Sequence, residues 1–153
     1  MVSSQSRDFV DLIRVLNEHR VEYLIVGAHA LAAHGHVRAT KDLDVWIRPS
    51  EENAAKVYAA IAAYGAPLDQ VTASDFAAQG TIFQIGVEPV RIDIINRVDG
   101  LEFDDGWRDR LATKFGGEPT AVLSRRALVI NKRASGRTQD LADLERLLQD
   151  DSG

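Results

Sequence analysis

The chain has 153 residues, 45% hydrophobic and 27% charged, with a net charge of −5 at neutral pH and no cysteine. That length suits one core of ordinary size, so residues 1–153 are expected to form a single domain. Disulfides, thiolate metal sites and cysteine nucleophiles are excluded, and the acidic balance argues against broad non-specific binding to nucleic acid, which needs many Lys and Arg on phosphates.

No run of eighteen apolar residues occurs, and "MVSSQSRDFV" lacks the basic start and apolar core of a signal peptide, so a cytoplasmic protein with no membrane partner is expected. In chain order, Ser6 is read as the cap of a helix with Phe9, Val10, Leu12, Ile13 and Leu16 on one face, ending near His19. "EYLIVG" reads as a buried strand closed by Gly27, and Ala28 to His34 as a helix stopped by Gly35. After Arg38 and Thr40, "DLDVWI" has strand character and stops before Pro49. Ser50 opens a helix that continues through Val57, Ala60, Ile61 and Tyr64 to "GAP".

"TIFQIG" and "VRIDII" read as two strands close enough to form a hairpin. From Val98 to Gly117 only "LATKF" has strand character. "TAVLS" leads into a helix from about Ser124 to Ala134, and a second follows from Thr138 to Leu148. Alternating strands and helices, then a hairpin and two closing helices, give an α+β (α/β) class built on a small mixed sheet.

The chemistry lies in the carboxylates. On a strand, side chains alternate, so Asp42 and Asp44 share one face while Leu43, Val45 and Ile47 share the other. Two like charges so close resist desolvation unless a cation or an arginine lies between them. Oxygen-only donors favour a hard cation, Mg²⁺ or Mn²⁺, together with substrate phosphates. Asp93 interrupts a second apolar strand, and if the strands are neighbours it completes a site for two metals. An exposed acidic strand would need no metal, and Arg38 could neutralise it instead.

Gly27 sits where a strand gives way to a helix, and amides at such a turn can hold phosphate, although the arrangement is also a common way to turn a corner. Arg38 and Thr40 could add a guanidinium and a hydroxyl to the same phosphates. His29, His34 and His36 are read as lining or capping a helix rather than binding metal. Lys132 and Arg137 could reach a triphosphate with Asp140 and Asp143 orienting them, or could end a solvated helix whose successor packs Leu141, Leu144, Leu147 and Leu148. Periodicity does not decide between these. Arg125, Arg126, Lys132, Arg133 and Arg137 are the candidates for a basic face toward RNA.

Through "LIVGAHALAAHGHVRATKDLDVWI", "VRIDIIN" and "NKRASGRTQDLADLERL", in that order from about Tyr23 to Leu148, the chain resembles the DNA polymerase beta-like nucleotidyltransferase superfamily, in particular small bacterial members related to the abortive-infection and toxin-type enzymes. The resemblance implies a small mixed sheet flanked by helices, the nucleotidyltransferase fold. It implies triphosphate binding at Gly27 and Ala28, two divalent metals on Asp42, Asp44 and Asp93, and Arg38, Thr40 and Lys132 near the nucleotide. Position 28 departs from the family's Gly or Ser, which keeps the amide and loses a hydroxyl.

The leading expectation is an enzyme that moves a nucleoside monophosphate from an NTP to a hydroxyl and releases pyrophosphate, with Mg²⁺ or Mn²⁺ as cofactor. The acceptor could be an RNA 3′ end, a protein or a small molecule. The competing expectations are a nucleotide-binding or toxin–antitoxin partner module without turnover, and a structural α/β protein with an exposed acidic cluster.

Overall fold

The computed structural model describes residues 4–37, 42–86 and 91–149. Its elements are α1 (Ser4–Glu18), β1 (Tyr23–Val26), α2 (Gly27–Ala33), β2 (Asp42–Ile47), α3 (Glu51–Tyr64), a 3₁₀ turn (Ala73–Phe76), β3 (Ile82–Ile85), β4 (Arg91–Ile95), α4 (Phe103–Arg108), β5 (Leu111–Phe115), β6 (Glu118–Val122), α5 (Arg125–Ser135) and α6 (Thr138–Gln149). The strands form one mixed sheet in the order β3-β4-β2-β1-β6-β5. Pairs β1–β2, β3–β4 and β5–β6 are antiparallel, while β2–β4 and β1–β6 are parallel. The α+β expectation of a small mixed sheet flanked by helices therefore holds.

Both faces of the sheet are covered, and strand alternation decides what each receives. Tyr23, Ile25, Val45 and Ile47 have one parity, and the Tyr23 hydroxyl donates to Asn17 Oδ1 on α1 (3.0 Å), placing α1 on that side. The apolar stripe of α1, Phe9, Leu12, Ile13 and Leu16, is fully buried, as are Val57, Ala60 and Ile61 of α3, which packs beside it. Leu24, Trp46, Val26 and Asp44 have the other parity. On this side α4 stacks Phe103 edge-on to Trp46, with ring centroids 5.1 Å apart.

Helix ends follow the sequence signals in α3 and α5. Ser50 accepts from the Asn53 amide and Gly65 closes α3 in the left-handed conformation, while Ser124 accepts from the Ala127 amide and Gly136 closes α5. Asn53 is buried and makes further bonds: Oδ1 accepts from the Glu22 amide and Nδ2 donates to the Glu22 and Arg48 carbonyls, tying α3 to the ends of both central strands.

Three expectations need correction. α1 begins at Ser4, so Ser6 lies inside the helix rather than capping it. α4 and β6 both fall where the sequence predicts no element. Gly106 stands inside α4 because an added Cβ would lie 2.8 Å from Leu123 and 3.1 Å from Leu24 and Trp46, so glycine here permits close packing rather than breaking a helix. β6 carries Pro119, which reads as a strand breaker but is tolerated as the second residue of the strand, where the ladder runs to Lys114 of β5 and pairing with β1 is reached only at Val122. Among the described residues no helix is long and apolar enough to cross a membrane.

Candidate active site

Period two fixes the acidic centre. Asp42 and Asp44 lie half-buried on one face of β2, while the intervening Leu43 and the following Val45 are fully buried on the other. β4 pairs in parallel with β2, placing Arg91 opposite Asp42 and Asp93 opposite Asp44. The three aspartates that the sequence singles out are thus brought together on neighbouring strands.

Among the described residues, Arg91 pairs with two of these aspartates. Arg91 Nη2 donates to Asp42 Oδ2 at 3.2 Å, and Arg91 Nε lies 3.1 Å from Asp93 Oδ1 as an ion-pair partner. Asp93 Oδ1 is buried and accepts no hydrogen bond. Burial, then the charges of Asp93 and Asp42, push the Asp44 carboxyl up to about 6 despite the opposing pull of Arg91. A carboxyl raised this far by burial and neighbouring like charges, in a cleft, marks a candidate functional site.

The turn after β1 lies directly over Asp44. Val26 is the register partner of Asp44, and Gly27 follows with φ +71°. A Cβ on Gly27 would lie 2.5 Å from Asp44 Oδ2, so both backbone conformation and space require glycine. Ala28 is buried, and its methyl adds no polar group to the turn.

The opposite wall comes from α5 and α6. Lys132 is only 5% exposed, and its Nζ lies 3.1 Å from both Asp140 Oδ1 and Asp143 Oδ2. Burial raises Asp140, but hydrogen bonds from Arg137, Ser135 and Lys132 outweigh it and hold the carboxyl at about 2. Arg137 bonds Asp140 Oδ2 at 2.8 Å while its side chain remains 80% exposed, and attraction to Asp99 and Asp44 adds to its basicity. Two adjoining clefts result. One, of about 280 Å³, is lined by Gly27, Ala28, Asp42, Asp44, Lys132 and Arg137; the other, of about 400 Å³, runs from Gly27 and Asp44 toward Thr81, Arg97 and Asn131.

Asp42, Asp44, Asp93, Gly27, Ala28 and Lys132 therefore converge, whereas Arg38 and Thr40 lie outside the described residues. Arg91 is the site residue that the sequence pattern alone does not single out. A signal for it exists, since "RID" on a strand puts Arg91 and Asp93 on one face. His29 packs edge-on between Phe9 and Phe115, with centroids 5.5 and 5.4 Å away, and burial lowers its pKa. His34 Nε2 pairs with the Leu123 carbonyl at 2.8 Å. The expected basic face is not a free stripe: Lys132 is buried, and Arg126 is bonded to Asp109 Oδ2 at 2.7 Å.

Among the described residues no group of three or more His, Asp or Glu side chains is arranged to enclose an ion. A hard cation that keeps water and phosphate ligands needs only one or two carboxylates, and Asp44 beside Asp93, with its unsatisfied Oδ1, fits that donor set.

A family model described as "Nucleotidyltransferase of unknown function (DUF6036)" matches residues 8–149. The chain belongs to this family. A solved candidate nucleotidyltransferase from Thermotoga maritima is similar in fold, at TM-score 0.60 and 15% identity over 94% of this chain and 92% of that one. An antigenic nucleotidyltransferase-like protein from Paracoccidioides brasiliensis is similar at TM-score 0.51 and 14% identity, covering 97% and 78% of the two chains. No curated protein matches the DUF6036 chain. At these identities the solved structures bear on fold alone, and the family carries the general nucleotidyltransferase assignment.

Proposed function

We propose that this DUF6036 protein is a metal-dependent nucleotidyltransferase that moves an NMP from an NTP to a hydroxyl acceptor. The observation that carries the reading is the register pairing of Asp44 with Asp93 beneath the Gly27 turn, in a chain of a nucleotidyltransferase family. Asp44 and Asp93, with Asp42 beside them, would hold Mg²⁺ or Mn²⁺, which when bound supplies charge neutralisation at the phosphates.

The chain's own groups do the rest. The amides after Gly27 and the exposed Arg137 guanidinium orient the β- and γ-phosphates, and Lys132 at the cleft wall, paired with Asp140 and Asp143, fixes the carboxylate to which Arg137 is bonded. The acceptor oxygen attacks the α-phosphorus and the bond from that phosphorus to the bridging oxygen breaks, so the electron pair leaves with pyrophosphate. The hydroxyl proton passes to the Asp93 side of the carboxylate pair. Arg38 and Thr40 are assigned to the triphosphate on the resemblance alone.

Ala28 favours a second reading, nucleotide binding without turnover, in which a toxin–antitoxin partner rather than an acceptor hydroxyl completes the function. Melting temperature with each NTP, with and without Mg²⁺ or Mn²⁺, separates the readings when combined with pyrophosphate release. A metal-dependent rise lost in Asp42→Asn/Asp44→Asn establishes the nucleotide site by linkage. Turnover lost in Asp93→Asn establishes the transferase; binding with no pyrophosphate from any acceptor class, including an RNA 3′ end or protein, leaves the binding module. No shift at millimolar NTP overturns both.

A further inference from the structure

Arg91 is placed where the cation of the proposed reaction has to act. It is the register partner of Asp42 and lies two residues before Asp93 on β4, so strand alternation turns it onto the acidic face. Its guanidinium spans two strands, with Nη2 on Asp42 Oδ2 at 3.2 Å and Nε 3.1 Å from Asp93 Oδ1. The second contact satisfies Asp93 poorly, because that oxygen accepts no hydrogen bond from it. Asp93's side chain is 14% exposed and Arg91's 30%, so the arginine is the more exposed partner of the pair.

We propose that Arg91 is a specificity-determining residue that competes with free divalent ions for Asp42 and Asp93, so that the site loads the metal–triphosphate complex in preference to the bare ion. The inference rests on the functional reading above. A divalent ion approaching Asp93 shares a carboxylate edge with a guanidinium that repels it. A bare ion must displace that guanidinium with only two or three carboxylates as compensation. An ion arriving on a triphosphate brings phosphate oxygens, which complete its coordination and offer the displaced Arg91 a new anionic partner. In the unloaded protein the same guanidinium keeps two buried-side carboxylates from facing each other uncompensated.

The test is Mn²⁺ binding to the full chain, followed by the electron paramagnetic resonance of free Mn²⁺, with and without a non-hydrolysable NTP analogue. Arg91→Met keeps the aliphatic stem and removes the charge. It is expected to bind bare Mn²⁺ at least tenfold more tightly than wild type, to narrow the gap between bare and nucleotide-bound Mn²⁺, and to melt at a lower temperature without metal. Arg91→Lys, which keeps the charge and loses the two-strand bridge, is expected to fall between them and serves if Arg91→Met does not fold. Mn²⁺ affinity equal to or weaker than wild type in both variants, while wild type binds Mn²⁺ with the analogue, overturns the competition and leaves the functional reading standing. Wild type and variants that bind no Mn²⁺ in either condition overturn the functional reading and this inference together.

Discussion

Gly27 and Asp44 are locked to each other: the α-carbon of one leaves space for the carboxylate of the other, and a Cβ at 27 would lie 2.5 Å from Asp44 Oδ2. Gly27→Ala therefore imposes two penalties, a left-handed backbone that alanine resists and displacement of an acidic side chain. Together they are expected to cost about 1–3 kcal/mol of stability, read by urea denaturation. The larger effect is on function, since nucleotide-dependent stabilisation should fall with the displaced carboxylate even in buffer where the variant is folded.

Asp44 itself should weaken the metal-free protein. The unfolded chain releases this proton near the ordinary aspartate value of 3.8, the folded chain at about 6. Between those values the native state binds more protons, so stability falls as pH rises, by roughly 3 kcal/mol at most. Asp44→Asn is then expected to melt above wild type at pH 7.5 in metal-free buffer and level with it near pH 4. A variant that melts lower at pH 7.5 would show that Arg91 and its neighbours already compensate the charge.

Lys132 behaves oppositely. It is buried between two carboxylates, so Lys132→Met leaves Asp140 and Asp143 facing each other and should cost about 3–5 kcal/mol. Adding Asp140→Asn and Asp143→Asn should recover most of that loss in urea denaturation. Asp140, held at about 2, stabilises the fold above the unfolded value of 3.8 and ceases to as pH falls through 2. Acid unfolding of Asp140→Asn should accordingly be shallower than that of wild type.

Arg137 serves binding more than stability. Its guanidinium is mostly in solvent but bonds the buried Asp140, so Arg137→Ala should lower the metal-free melting temperature only modestly, with Ser135 and Lys132 still bonded to that carboxylate. Loss of a charged hydrogen bond to a phosphate is worth about 1.5–3 kcal/mol, and NTP affinity, measured by calorimetry with Mg²⁺, should fall tenfold or more. Unchanged affinity would move the triphosphate away from the α5–α6 wall.

Much of the acidic centre is legible in the amino-acid sequence. The Asp-x-Asp spacing fixes a shared face through strand period alone, and the apolar neighbours of Asp93 mark it as a second misplaced charge. The features that are not legible depend on tertiary contact. Gly106 signals a break in sequence, yet Leu24, Trp46 and Leu123 press against it inside a helix, and Pro119 argues against a strand although β6 pairs with an edge strand there. Lys132 has the same sequence pattern in a solvated helix end and in a buried ion-pair hub. Only the packing of α6 on α5, which brings Asp140 and Asp143 to its ammonium, separates the two.

The parallel pairing of β2 with β4 has a consequence for how the protein comes to exist. A hairpin can form its contacts locally, but parallel neighbours need a long crossover, and here the chain between Ile47 and Arg91 makes α3, a 3₁₀ turn and β3 before returning. Asp44 and Asp93 therefore meet only when that whole excursion has closed, a non-local pairing of the kind that slows folding. The acidic centre thus belongs to the whole topology and to no local segment, and a fragment that ends before β4 carries Asp42 and Asp44 without Asp93.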